Sequence, residues 1–199
     1  MAGSWTICSK ARNDFADLLD GLSEEQLNTQ SLCSEWRVID VAGHVVSLVD
    51  LSKLQMVKGI AKARGNSDQF LAGAAKDFAA GGAASLSSTM RAKASQEMKP
   101  FSEASMVSDT AVHMLDVIRP LGLDTELDDE VLRVSLDHSA AEIAKKFKDT
   151  TSPTFTATDI NWSSGSGPEV RGTAAALLLA MNQRDVLDEL EGDGVSLLR

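Results

Sequence analysis

The chain contains no tyrosine among its 199 residues, so no phenolic hydroxyl is present to serve as an acid or base. It has only two cysteines, Cys8 and Cys33. Their number and spacing give neither a disulfide framework nor a metal-type pair. No charged n-region followed by an apolar h-region opens the chain, and this pattern predicts a reducing cytoplasm. No uninterrupted apolar run reaches the roughly 18 residues that a spanning helix needs. A basic excess is also lacking. The formal charge of -10 argues against nucleic acid or an anionic membrane surface as partner, because both reward clustered Lys and Arg. Small molecules or proteins are the expected partners, and no internal repeat or low-complexity tail is visible.

What is present is helical periodicity. Ile7, Ala11, Phe15, Leu18 and Leu19 recur at helical spacing up to Gly21, the expected stop. Ser23-Glu24-Glu25-Gln26 then reads as a capping box. Val41, His44, Leu48, Leu51 and Gln55 form one stripe of a long helix predicted over 38–63, widened by Val45 and Val49. Asn66-Ser67-Asp68 supplies cap chemistry for a third helix over 69–94, with Gly81-Gly82 marking a break or a mobile point in it.

After Pro100, the residues Met106, Asp109, His113 and Val117 form an inward row, flanked by Val107, Ala111, Met114 and Ile118. That fourth helix is expected to end or kink at Arg119-Pro120, with a turn at Gly122. Val131, Val134, Leu136, Ile143 and Phe147 write a fifth helix over 127–148, and an acidic cluster from Asp124 to Glu130 suits its N-terminus. From Thr154 to Trp162 bulky and polar residues alternate, which predicts a small hairpin returning near Glu169-Val170-Arg171. The run from Thr173 to Asn182 reads as a well-buried terminal helix.

The chemistry lies in two histidine segments, Cys33 to His44 and Asp109 to Gly122. Side chains four apart share a helix face, so Asp109 and His113 can converge on one point, with His44 supplied by another helix. Two imidazoles and a carboxylate would give a divalent ion three ligands and leave a position open, the catalytic pattern for zinc. The same spacing also suits packed histidines, with Asp109 simply holding His113. Spacing leaves both readings open. His138 sits on the polar fifth helix and reads as a surface residue.

Cys33, Trp36, Val38, Asp40, Val41 and His44 resemble the first signature of the mycothiol-dependent maleylpyruvate isomerase family, within the DinB-like superfamily of metal-binding four-helix bundles. His113, Asp116, Arg119, Pro120, Leu121 and Gly122 are similar to its second signature. A third likeness runs through Trp162, Gly165, Gly167, Pro168, Val170, Arg171 and Gly172 to Arg184 and Leu190-Glu191-Gly192-Asp193-Gly194. The resemblance implies a mostly α fold: a DinB-like four-helix bundle with an added helix and a small C-terminal β-hairpin plus helix. The expected organisation is a metal-binding bundle over 1–150 and a hairpin-helix extension over 151–199.

It further implies His44, Asp109 and His113 as metal ligands, with zinc the usual ion, and mycothiol or a similar low-molecular-weight thiol as cofactor. An electrophilic small molecule would be the substrate of a cis-trans isomerase or S-transferase, in a monomer or homodimer. Arg171 and Arg184 are candidate anchors for carboxylates of thiol or substrate, a task that planar donors suit, or partners in structural salt bridges. Three positions depart from the family pattern. Asp109 stands where Glu is usual, Arg37 where Thr is common, and Asn182-Gln183-Arg184 replaces Ala-Gly-Arg. The Asp109 departure keeps in view a non-catalytic binding or stress-response module, and a third reading is a metal-dependent hydrolase, in which the open position holds water rather than thiol.

Overall fold

A computed structural model describes residues 5–147 and 151–198, and the chain divides into two compact units. The first is built from the residues up to Glu103 together with Asp116–Thr125; the second comprises Ala104–Leu115 and everything from Glu126 onward. The fold is mostly helical, with a small sheet near the C-terminus and a helix after it. The domain boundary expected at residue 150 falls outside the described residues.

In the first unit, α1 (Thr6–Asp20) buries Cys8, Ala11, Phe15, Ala16 and Leu19, and ends as predicted at Gly21. One member of that buried stripe is charged. Arg12 is fully buried, and its Nη1 donates to the carbonyls of Ala94 (2.8 Å), Gln96 (2.9 Å) and Lys93 (3.4 Å). Its guanidinium also lies 5.7 Å from the centroid of the Trp5 ring. The position could have been read from the sequence, since Arg12 is four residues after Cys8 and three before Phe15, on the apolar face.

Ser23 and Gln26 make the predicted capping box on the short α2 (Glu24–Leu27). The helix predicted over 38–63 is two helices, α3 (Val38–Asp50) and α4 (Lys53–Lys62). Ser52 explains the break: its hydroxyl accepts from the Gln55 amide and the Gln55 side chain accepts from the Ser52 amide, a second capping box inside the apolar pattern. The third predicted helix likewise divides, into α5 (Ser67–Ala79), capped by Asn66, and α6 (Ala83–Ala92). The break is at Gly81-Gly82, as expected. Helix α3 packs on both α5 and α6, and a Cβ on Gly43 would collide with the Ala75 carbonyl. That glycine sets how closely α3 and α5 approach.

Arg37 cannot cap α3 as a threonine would, and Asp40 takes over the task. Its carboxylate accepts from the Arg37 amide, Nε and Nη2, each at 3.0 Å. Burial alone would push this carboxyl up, but the hydrogen bonds and charge of Arg37 outweigh it and hold the group below the usual carboxylate range. The folded state therefore binds the proton more weakly than the unfolded chain does. Stability from Asp40 is complete above the ordinary carboxyl pKa and is lost as pH falls through the lower folded value. Asp40→Asn is expected to lower Tm at neutral pH and to flatten this acid limb in thermal melts taken across the pH range; a variant with the wild-type acid limb would show that Asp40 is not its source.

The long helix α7 (Glu103–Leu121) contributes residues 104–115 to the second unit and 116–121 to the first. It is buried from Met106 to Ile118 except at Asp109, rather than along one stripe. It also runs through Pro120 and stops one residue later. Having no amide hydrogen, Pro120 leaves the Asp116 carbonyl four residues back without its helical donor, and the Leu32 amide fills that place at 3.1 Å. The helix thus continues because the loop before α3 satisfies the group that proline frees. Gly122, at φ 60°, closes it in a Schellman motif: its amide donates to Arg119 and that of Leu123 to Ile118.

In the second unit, α8 (Asp129–Lys146) is capped by Asp128, and its predicted end at Lys148 lies outside the described residues. It packs on α9 (Ala174–Met181), whose residues are nearly all buried. Between them in sequence come β1 (Thr154–Ala157), β2 (Ser163–Ser164) and β3 (Glu169–Gly172), in the spatial order β2-β1-β3. The hairpin is formed by β1 and β2, with Phe155 opposite Ser164. The return strand predicted at 169–171 instead lies parallel to β1, with Phe155 opposite Val170. Residues 158–168 carry the chain through β2 to the other edge, which a simple two-strand reading of the alternation misses.

Candidate metal site

His44 belongs to the first unit, on α3. The residue is 7% exposed, and its ring lies 4.9 Å, centroid to centroid, from that of Trp36, tilted by 33°. The loop that presents Trp36 is closed by its own polar groups. The Trp36 carbonyl accepts from the Ser31 hydroxyl (2.7 Å) and the Gln30 amide group (2.8 Å), while the Trp36 amide donates to the Cys33 carbonyl.

In the same unit the Cys33 thiol donates to the Asp116 carboxylate at 3.1 Å, and the Leu32 amide donates to the Asp116 carbonyl. Asp116 is fully buried. Side chain and main chain of one residue thus tie the Cys33 loop to α7, so the companions in the two histidine segments are structural neighbours. This gives Cys33 a positioning role.

Asp109 and His113 belong to the second unit and stand one turn apart on α7. His113 Nε2 and Asp109 Oδ1 are 3.8 Å apart, with side chains 10% and 29% exposed. That separation is too long for a direct hydrogen bond between these atoms. It is near the roughly 3.4 Å between two donors of one tetrahedral zinc ion. Imidazole and carboxylate are donors that zinc and similar divalent ions accept, so this pair fits a metal.

Asp109 also lines a cleft of about 300 Å³ within the second unit. Ser105 and Ser108 join it from α7, His138 and Glu142 from α8, and Asn182 and Gln183 from the end of α9. His138, a surface residue by sequence, is half-buried here beside a candidate ligand. No sequence signal marked it, because it reaches the cleft through the packing of α8 on α9. Ser139, in the same lining, bonds to both sides: its hydroxyl is 3.2 Å from that of Ser108 and accepts from Asn182 at 3.0 Å.

Neither candidate anchor arginine is part of the lining. Arg171 is exposed on β3, where its backbone pairs with Glu191. Arg184 is half-buried, and its Nη1 donates back to the Asn182 carbonyl at 2.8 Å. The turn it closes repeats the Schellman motif of α7, with Gln183 donating to Ala180 and Arg184 to Leu179. Here the left-handed position, φ 65°, is held by Gln183 instead of glycine. Strain in that region costs a side-chain-bearing residue roughly 1–2 kcal/mol. Glycine returns part of the gain as unfolded-state entropy. Gln183→Gly is expected to stabilise the protein by about 0.5–1 kcal/mol, read as a rise in denaturation midpoint; a fall would show that the Gln183 side chain contributes contacts worth more than the strain.

The model of the mycothiol maleylpyruvate isomerase N-terminal domain matches residues 8–118 of the chain. No curated protein sequence matches. Among solved structures, the mycothiol-dependent maleylpyruvate isomerase matches with a TM-score of 0.52 at 13% identity, over 95% of this chain and 91% of that one. A histidine-to-alanine variant of that enzyme matches at 14% identity over the same shares, with a TM-score of 0.47. At such identities the likeness is one of fold.

Proposed function

The chain belongs to the family of the mycothiol maleylpyruvate isomerase N-terminal domain, and on that premise we propose that it is a metal-dependent enzyme using mycothiol or a similar small thiol. Its reaction is a maleylpyruvate isomerase-like cis-trans isomerisation or a thiol S-transfer, in the cytoplasm. His44, Asp109 and His113 hold the ion, with zinc the expected one. The observation that carries this reading is the Asp109-His113 pair: two donors of the right type, 3.8 Å apart on one helix, beside an open polar cleft.

When bound, the divalent ion supplies Lewis acidity that keeps a thiol deprotonated near neutral pH. The residues of the chain do the rest. The imidazoles of His44 and His113 would serve as neutral ligands, and the Asp109 carboxylate would offset part of the cation's charge. Trp36 packs against the His44 ring and limits its rotation. The cleft's hydroxyls and the Asn182 amide offer hydrogen bonds to a polar substrate. A thiolate so supplied would add to an activated double bond, with the electron pair held on the activating carbonyl and returned as the thiolate departs after rotation, or would displace a leaving group from an electrophile and remain bonded to it.

Asp109 favours a second reading, a bundle that keeps the fold as a binding module, because its side chain is one methylene shorter than the Glu of the family pattern. The discriminating measurement is metal content after purification in zinc, with Asp109→Glu alongside wild type. Stoichiometric zinc in wild type, tightened by roughly tenfold in Asp109→Glu, is expected for the enzyme. Zinc-free wild type with a zinc-binding Asp109→Glu would assign the chain to the binding module.

A further inference from the structure

Within the first unit, α4 and α5 form a helical hairpin that carries a cleft of about 580 Å³, used by nothing described above. Its floor is apolar, made by Leu51, Phe70, Ala74 and Phe78, and its rim holds Lys58 and Lys62 one turn apart on α4. The size is that of a small-molecule pocket, and apolar walls with a few convergent polar groups are the usual composition of one.

Two glycines shape this cleft in different ways. The Phe70 ring rests on Gly59, where any Cβ would collide with it, so Gly59 lets the two helices close at that end. Gly73 lines the cleft from the middle of α5, and a Cβ there would meet nothing within 4 Å. No steric demand explains a glycine there, and in a helix interior it costs about 1 kcal/mol relative to alanine. Its effect is an unobstructed floor. Meanwhile α4 buries none of its residues, although it carries apolar side chains as well as lysines.

The charge is also distinctive. On a chain of formal charge -10, two exposed lysines line an apolar recess, and among the described residues neither forms an ion pair with a carboxylate. Asp77 is the acidic member of the lining, on α5. Lysines at such a rim lay their methylene stems along the apolar wall and turn their heads to solvent, where they meet an anion.

We infer that this cleft binds an amphipathic monoanion, an aromatic or medium-chain carboxylate. Its apolar body lies across Phe70 and Phe78, and its carboxylate meets Lys58 and Lys62. The inference does not depend on the metal site.

The test is calorimetric titration of the full chain with decanoate below its micelle concentration, against decanol and decylamine as neutral and cationic counterparts. Saturable binding of one decanoate per chain is expected, weakened by about tenfold or more, or 1.4 kcal/mol, in either Gly73→Leu or Lys58→Glu/Lys62→Glu. Both variants change exposed helix positions, and melting curves would report folding. Absence of decanoate binding, or equal binding of decanol or decylamine, overturns the inference. So does unchanged affinity in the folded variants. Loss of a dimer in Gly73→Leu by sedimentation, without any effect on decanoate, would mark the face as a contact between two copies.

Discussion

His113→Ala is expected to abolish stoichiometric metal binding and, with it, thiol-dependent turnover, while leaving a folded protein. If the proposed three-ligand set holds zinc, loss of one ligand should weaken it by at least about 100-fold, the upper end of what loss of an outer-shell partner alone costs. His44→Ala should do the same, although His44 and His113 stand on different helices in different units. That shared outcome is the informative part. Two buried histidines with only packing roles would each cost stability when truncated and would leave metal content unmoved. The checks are zinc by mass spectrometry after dialysis, circular dichroism for the fold, and turnover with and without added thiol. A His44→Ala protein that keeps full zinc removes His44 from the ligand set. Turnover indifferent to thiol, with zinc retained, would favour the hydrolase, in which a metal of lowered water pKa does the work.

The second large effect concerns the fold. Arg12→Ala is expected to destabilise the first unit by about 3 kcal/mol, because hydrogen bonds from a charged donor to three carbonyls are lost where water does not readily replace them. For a chain of this length that is roughly 6–12 °C in Tm. The three acceptors, Lys93, Ala94 and Gln96, lie in the chain just after α6, so a single guanidinium ties the end of α6 to α1. Arg12→Met separates packing from polarity, since it keeps most of the aliphatic stem. Buried ionic groups can sometimes be replaced by apolar ones at no cost. If Arg12→Met melts with the wild type, the carbonyls are served in another way and the hydrogen bonds carry no net stability.

Much of the fold is legible in the residues themselves because helix periodicity and capping are local. The Ser23-Gln26 box, the Asn66 cap, the break at Gly81-Gly82 and the apolar run of α9 each depend on neighbours within one or two turns. The break at Ser52 is equally local, written in Ser52 and Gln55, but helical spacing continuous from Val41 to Gln55 conceals it. Non-local effects account for the other differences. A proline inside a helix is disfavoured by local rules, yet Pro120 is accommodated because Leu32, distant in sequence, supplies the missing donor. The strand at Glu169 to Gly172 shows its alternation plainly, but whether it pairs antiparallel or parallel depends on the path of the chain between.

For the site, the spacing of Asp109 and His113 alone placed both on one face of one helix, since four residues make about one turn. The order of the signatures placed the chain in its family. What only the tertiary structure decided is the company those residues keep: Trp36 against His44, Asp116 holding the Cys33 loop, and His138 brought by α8 to the cleft that Asp109 lines. The reason is physical. A helix repeats every 3.6 residues and can be read from a short window, whereas a cleft is made where separate helices pack, and that packing is set by side chains far apart in sequence.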